Sequence, residues 1–164
     1  MQKNVILTGF MGTGKTVVGR LLAARLGFEF VDTDELIESR YGSIGRIFAE
    51  AGEEAFRQIE HEIARELSTS DGQVIATGGR LMLDEQNASL LGKESRVFCL
   101  VASPEELISR LGDSDGRPLL AGADRLRRIA ELLAERRQGY DRFEQIDTNG
   151  KTPEEVVGMI HDRL

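Results

Sequence analysis

The sequence predicts an α/β fold, a parallel sheet of five strands covered by helices on both faces. Five short apolar or β-branched runs alternate with amphipathic stretches along the chain. The runs are too apolar to face water on one side, as expected of parallel strands buried by crossover helices. The length, 164 residues, suits one domain that buries about two-thirds of its unfolded surface.

The first strand is NVILT, residues 4–8, and the amphipathic TVVGRLLAARLG follows it as a helix. FEFVD, 28–32, is the second strand. EEAFRQIEHEIARELS, 53–68, carries a helical apolar stripe and leads into the third strand, QVIAT, 73–77. RVFCLV, 96–101, is the fourth strand and SPEELISRLG the helix after it. ADRLRRIAELLAERRQG, 123–139, precedes the fifth and weakest strand, EQIDT. Ser103 and Thr152 are helix N-caps, each followed by proline at the first helical position and by glutamates in the first turn. Residues 111–124, LGDSDGRPLLAGAD, have no periodicity and are long for a connection in a compact domain, which predicts a mobile lid. No internal repeat or second domain boundary interrupts 1–164.

Composition narrows the partners. No apolar run approaches the roughly 20 residues of a membrane span, and MQKNVILTGF lacks the length and cleavage site of a signal peptide; a soluble cytoplasmic protein is expected. The net charge of −7 argues against nucleic acid and anionic membranes and for a small-molecule partner. Nothing signals oligomerisation, and a monomer is expected. Lys3, Lys15, Lys93 and Lys151 are the only lysines among 21 basic residues; the arginine forks suit carboxylates and phosphates, or lie on solvated helix faces. Cys99, inside VFCLV, reads as a buried inert thiol. His61 and His161 read as surface or packing residues without a metal role.

The strongest motif is GFMGTGKT, Gly9 to Thr16, which satisfies G-x-x-x-x-G-K-[ST] between a strand and a helix. Its glycines let backbone amides close around phosphates, the lysine meets the outer phosphates and the hydroxyl holds Mg²⁺. Gly12, Thr13, Gly14, Lys15, Thr16 and Val17 are the candidate contacts of a nucleoside triphosphate. The second strand ends in FVDTDELIE. In an extended segment Asp32 and Asp34 point to one face, where one can serve the metal and the other an acceptor hydroxyl. Alternatively, Asp34 is the cap of a following helix.

These segments resemble the shikimate kinase family of small P-loop kinases, which is related in fold to nucleoside monophosphate kinases. The resemblance covers nearly the whole chain: GFMGTGKT, VDTDELIE, IFAEAGEEAFRQIE, VIATGG, RPLL, ERRQGY and DTNGKTPEEVV occur in the family's order. It implies ATP-dependent phosphorylation of the 3-hydroxyl of shikimate, with an acceptor-binding helical segment at about 33–61. Asp34 would hold and deprotonate that hydroxyl. Arg57, braced by Glu60, and Arg136 would grip the carboxylate, Gly78 and Gly79 would offer backbone, and Phe48 and Phe56 would shape an apolar wall. Lys15 and the lid residue Arg117 would stabilise the transferring phosphate, Thr16 and Asp32 would serve Mg²⁺, and Arg110 and Pro153 would flank adenine. Without the resemblance, Arg57 can simply pair with Glu53 or Glu60 at helical spacing, and Arg136 can belong to a solvated face.

Two departures stand out. Where the family usually has a third glycine, this chain has Arg80. Its side chain can point away from the pocket, add a fork to the substrate carboxylate, or fill the pocket and change the substrate, and its backbone must avoid positive φ. ERRQGY also lacks the proline and leucine common in the family before the tyrosine. Two other functions therefore stay open: a kinase of another hydroxy acid or polyol such as gluconate, and a nucleotide-dependent binding module without transfer chemistry.

Overall fold

The computed structural model describes residues 4–112 and 124–164. Along the chain run β1 (Asn4–Gly9), α1 (Lys15–Leu26), β2 (Glu29–Asp32), α2 (Thr33–Tyr41), α3 (Ile44–Leu67) and β3 (Gln73–Ala76). A 3₁₀ turn (Leu81–Leu83), α4 (Glu85–Gly92), β4 (Arg96–Val101), α5 (Pro104–Leu111), α6 (Arg125–Tyr140), β5 (Glu144–Asp147) and α7 (Pro153–His161) follow. All five strands pair in parallel in the order β2-β3-β1-β4-β5.

The sheet is covered on both faces because alternate residues of its central strands are apolar both ways. Val5 and Leu7 of β1 pack with Val74, Phe98 and Leu100 against α1 and α7, through Val18, Leu22, Val156 and Ile160. Ile6 and Ile75 turn the other way, against Ile37, Ile63 and Leu91 of α2, α3 and α4. Cys99, Leu107, Ile129 and Leu132 join α5 and α6 to the sheet. At the sheet edge, β5 buries only Ile146, which is why its apolar signal is the weakest of the five. Burial also pushes the Cys99 thiol up to about 12, as expected of an inert cysteine.

Local signals hold where a side chain completes a helix end. Ser103 and Thr152 accept from the amides of Glu106 and Glu155, and Glu155 returns the bond in a capping box. At the end of β2 the cap is Asp32, which accepts from the amides of Asp34 and Glu35. Asp34 therefore is not the cap, and it is not in an extended segment either: it sits in the first turn of α2. Helix α3 begins at Ile44, ahead of the stretch with the obvious stripe, and is broken at Gly52 (φ 86°, ψ 173°). Among the described residues no helix is long and apolar enough to cross a membrane. The expected lid, Arg117 included, falls almost entirely outside the described residues.

β1 lies between β3 and β4, so the chain leaves it first to one side of the sheet and later to the other. Beyond the carboxyl ends of the strands at such a reversal an α/β sheet opens a crevice.

Candidate active site

The loop between β1 and α1 is built for an anion. Gly14, in the left-handed region at φ 97°, is the N-cap of α1, and neither a capping side chain nor an acidic first-turn residue occupies that helix start. By contrast, α2, α4, α5 and α7 are capped by Asp32, Asp84, Ser103 and Thr152. The positive end of the α1 dipole is thus left for a ligand. The Lys15 ammonium donates to the carbonyls of Gly9 (2.7 Å) and Phe10 (2.9 Å), which lays it over the loop. The buried Thr13 hydroxyl donates to Phe10 at 2.7 Å and shapes the loop from inside.

Thr16 and Asp32 meet across the base of the loop, with Thr16 Oγ1 donating to Asp32 Oδ2 at 2.7 Å. A hydroxyl and one carboxylate oxygen are hard oxygen donors, and such a sparse protein set suits Mg²⁺ held mainly through phosphates and water. The other oxygen, Asp32 Oδ1, caps α2. One aspartate therefore fixes the metal-type donor and the helix that carries Asp34.

A cavity of about 440 Å³ joins this loop to the ends of β2 and β3. It brings together Gly12, Gly14, Lys15, Thr16, Val17, Asp32, Asp34, Phe56, Arg57, Gly78, Gly79 and Arg136, from five separate stretches of chain. Gly78 donates its amide to Thr33 Oγ1 at 2.9 Å. A Cβ there would lie 2.7 Å from Asp34 Oδ1 and 3.4 Å from Glu60 Oε2, so a side chain at this position would displace the Asp34 carboxylate. Gly79 is held by its carbonyl, which accepts from the Tyr140 hydroxyl at 2.5 Å. A Cβ on Gly79 would come within 3.3 Å of Arg136 Nη1.

The two candidate carboxylate-binding arginines differ in environment. Arg57 is paired with Glu60 and, at 3.4 Å, with Glu53, and it still faces the cavity. Glu60 is 2% exposed. Burial raises its carboxyl above the ordinary range despite the opposing pull of Arg57, and the neighbouring Asp34 adds to the rise. Arg136 is 7% exposed, lies with its guanidinium carbon 5.2 Å from the Phe10 ring centroid, and is hydrogen-bonded to Tyr140. No carboxylate pairs with it among the described residues. Its neighbours Arg127, Arg128 and Arg137 pair on the surface with Asp124, Glu131 and Asp141, so the solvated-face reading holds for them and fails for Arg136.

Other expected residues stand further off. Phe48 does not line the cavity; it is 37% exposed and packs on Phe56 from outside, ring centroids 4.9 Å apart. Arg110 and Pro153 also lie outside the lining. Arg110 bonds the Thr148 carbonyl (2.6 Å) and hydroxyl (2.9 Å) and approaches the Gly12 and Thr13 carbonyls at 3.4 Å, tying the loop that leads to Pro153 to the phosphate loop. Arg80 has φ −108° and ψ −8°, an allowed conformation, and faces the cavity. Tyr140 and Thr33 were not singled out from sequence. The signal for Tyr140 was its spacing four residues after Arg136, which puts both on one face of α6.

A phosphate loop with a hydroxyl–carboxylate pair, opening onto a second subsite with a carboxylate and a buried arginine, defines a P-loop kinase of a small molecule. A sequence model described as shikimate kinase matches residues 11–164, and the chain belongs to the shikimate kinase family. It is 47% identical to the shikimate kinase of Thermodesulfovibrio yellowstonii over 160 residues, 96% of this chain and 92% of that protein. In structure it resembles the shikimate kinase from Acinetobacter baumannii solved in complex with shikimate, with TM-score 0.92, 33% identity and coverage of 99% of this chain and 93% of that one. A gluconokinase from Sinorhizobium meliloti superposes with TM-score 0.65 at 20% identity, covering 95% of this chain and 87% of that one, a likeness of fold alone.

Proposed function

We propose that the protein transfers the γ-phosphate of ATP to the 3-hydroxyl of shikimate, releasing shikimate 3-phosphate and ADP. The observation that carries the reading is Arg136. A buried guanidinium without a carboxylate is costly unless an anion arrives to pair with it, and this one faces the cavity that also holds Asp34. A small hydroxy acid supplies both groups the site asks for: a carboxylate for Arg136 and Arg57, and a hydroxyl for Asp34.

In the transfer, the acceptor oxygen forms its bond to the γ-phosphorus as the bond from that phosphorus to the bridging β,γ-oxygen breaks. The hydroxyl proton passes to the Asp34 carboxylate, and the electrons of the broken bond leave on ADP. Lys15 moves from the loop carbonyls to offset charge on the phosphoryl oxygens, and Arg117 of the lid segment is assigned the same task from the sequence pattern. Thr16 and Asp32 would hold Mg²⁺, which would supply neutralisation of the phosphate charge. Gly12, Gly14 and Val17 line the triphosphate path, while Arg110 and Pro153 border the base. Most of the catalysis is alignment and electrostatics.

The test is ADP release from Mg-ATP with shikimate, quinate, gluconate or no acceptor. Strong stimulation by shikimate alone is expected. Equal rates with and without shikimate, or a preference for gluconate, would overturn the assignment.

A further inference from the structure

Arg80 occupies the position where the family usually has glycine, and its surroundings give it a use. Its backbone is fixed. The Arg80 carbonyl accepts from Leu83 at 3.0 Å and the preceding Gly78 carbonyl from Leu81 at 3.1 Å, so the 3₁₀ turn anchors it directly beside the Gly79 carbonyl held by Tyr140. Its side chain is not fixed. It is 52% exposed, makes no hydrogen bond among the described residues, and has one ion-pair partner among them, Glu53, at 3.9 Å.

That pairing shows what the guanidinium can reach. Glu53 Oε1 lies 3.9 Å from Arg80 Nη1 and 3.4 Å from Arg57 Nη2, so one carboxylate oxygen already sits between two cationic forks. Arg80 and Arg57 both line the acceptor cavity with Arg136, and both also line the adjoining cavity of about 620 Å³ on whose wall Glu53 stands. Arg80 is thus placed on the boundary between an internal carboxylate and the place where an acceptor's carboxylate would lie. A solvated carboxylate held at 3.9 Å without a hydrogen bond is a weak competitor for a bidentate acid.

Resting on the shikimate reading above, we propose that Arg80 is a specificity-determining residue of the acceptor site, a third guanidinium that leaves Glu53 to bind the substrate carboxylate beside Arg57 and Arg136. Its effect falls on ground state and transition state alike, because the carboxylate does not react. The contact therefore enters KM and leaves kcat nearly alone.

The test is a cycle of two enzymes and two acceptors, wild type and Arg80→Gln with shikimate and with its uncharged methyl ester, and with Mg-ADP affinity as the check that the variant is folded. Arg80→Lys, which keeps the charge without the fork, is run in parallel. Arg80→Gln is expected to raise the KM for shikimate about tenfold with kcat within about twofold, and to lower the preference for acid over ester by about the same tenfold. Arg80→Lys should fall between. An acid-to-ester preference unchanged in Arg80→Gln would overturn the proposal, whatever happens to the overall rate, because a purely structural arginine affects both acceptors equally. No turnover of shikimate by the wild type would instead overturn the assigned function.

Discussion

Asp34 and Glu60 are neighbouring carboxylates on one cavity, Asp34 half-buried and Glu60 buried, and they call for different tests. Asp34, carried on the first turn of the α2 helix that Asp32 caps, lines the cavity beside Gly78. Asp34→Asn should leave Mg-ADP affinity nearly unchanged and reduce shikimate-dependent turnover by about 10²–10⁴, the usual contribution of a positioned base; equal turnover in both proteins would remove it from the mechanism. Glu60 is buried, and its folded value lies above the ordinary 4.5. Its favourable contribution is therefore complete below pH 4.5 and is lost as pH rises through the raised folded value. Glu60→Gln has no such loss. Measured by urea unfolding, wild-type stability relative to Glu60→Gln should fall as pH rises from 4.5 toward neutrality, and a relative stability that climbs over that range would show the ionised carboxylate to be the better-accommodated form. The identities of these residues were readable from motif spacing, but their roles were assigned through resemblance. What spacing missed was that Asp32 is the cap and Asp34 the helical residue, because cap and strand readings of D-x-D look alike until the chain direction is known.

At the scale of elements, the break in α3 precedes the turn that carries the cavity residues Phe56 and Arg57. Gly52, at φ 86° and ψ 173°, occupies a region open essentially to glycine alone, and a Cβ there would meet nothing within 4 Å. The strain of a substitution would come from backbone and not from collision. Gly52→Ala should destabilise the fold by about 1–3 kcal/mol in urea unfolding and raise the KM for shikimate, since Phe56 and Arg57 follow the break within the next two turns. A loss of stability below about 0.5 kcal/mol would mean that the helix heals across position 52. All five strands and the helices α1, α5, α6 and α7 were legible, because apolar periodicity and caps are local signals. Helix α4 and the 3₁₀ turn were not: Glu85–Gly92 is short, and of its two buried residues, Asn87 and Leu91, only Leu91 is apolar.

For the whole molecule, an acidic chain of net charge −7 gathers Lys15, Arg57, Arg80 and Arg136 around one cavity. Ligands that bind there stabilise the folded state by mass action. A nucleotide or shikimate at about 100 times its Kd should add about 2.7 kcal/mol, which for a chain of this size raises Tm by roughly 5–10 °C. Arg136→Met should keep the Mg-ADP shift and lose the shikimate shift. Its own Tm should not fall, because a buried cation with no carboxylate partner among the described residues has been exchanged for an apolar side chain; retention of the shikimate shift would take Arg136 out of the carboxylate site. The sequence by itself determined the alternating strands and helices, the phosphate loop and the acidic segment after β2, since each is written in neighbouring residues. Only the tertiary structure decided which of many arginines is buried with no carboxylate partner among the described residues, that Tyr140 reaches back to Gly79, and that Arg80 stands within ion-pair reach of Glu53. Those facts depend on which side chains far apart in the chain meet once the sheet is assembled, and no local pattern encodes burial or the distance between α6 and the end of β3.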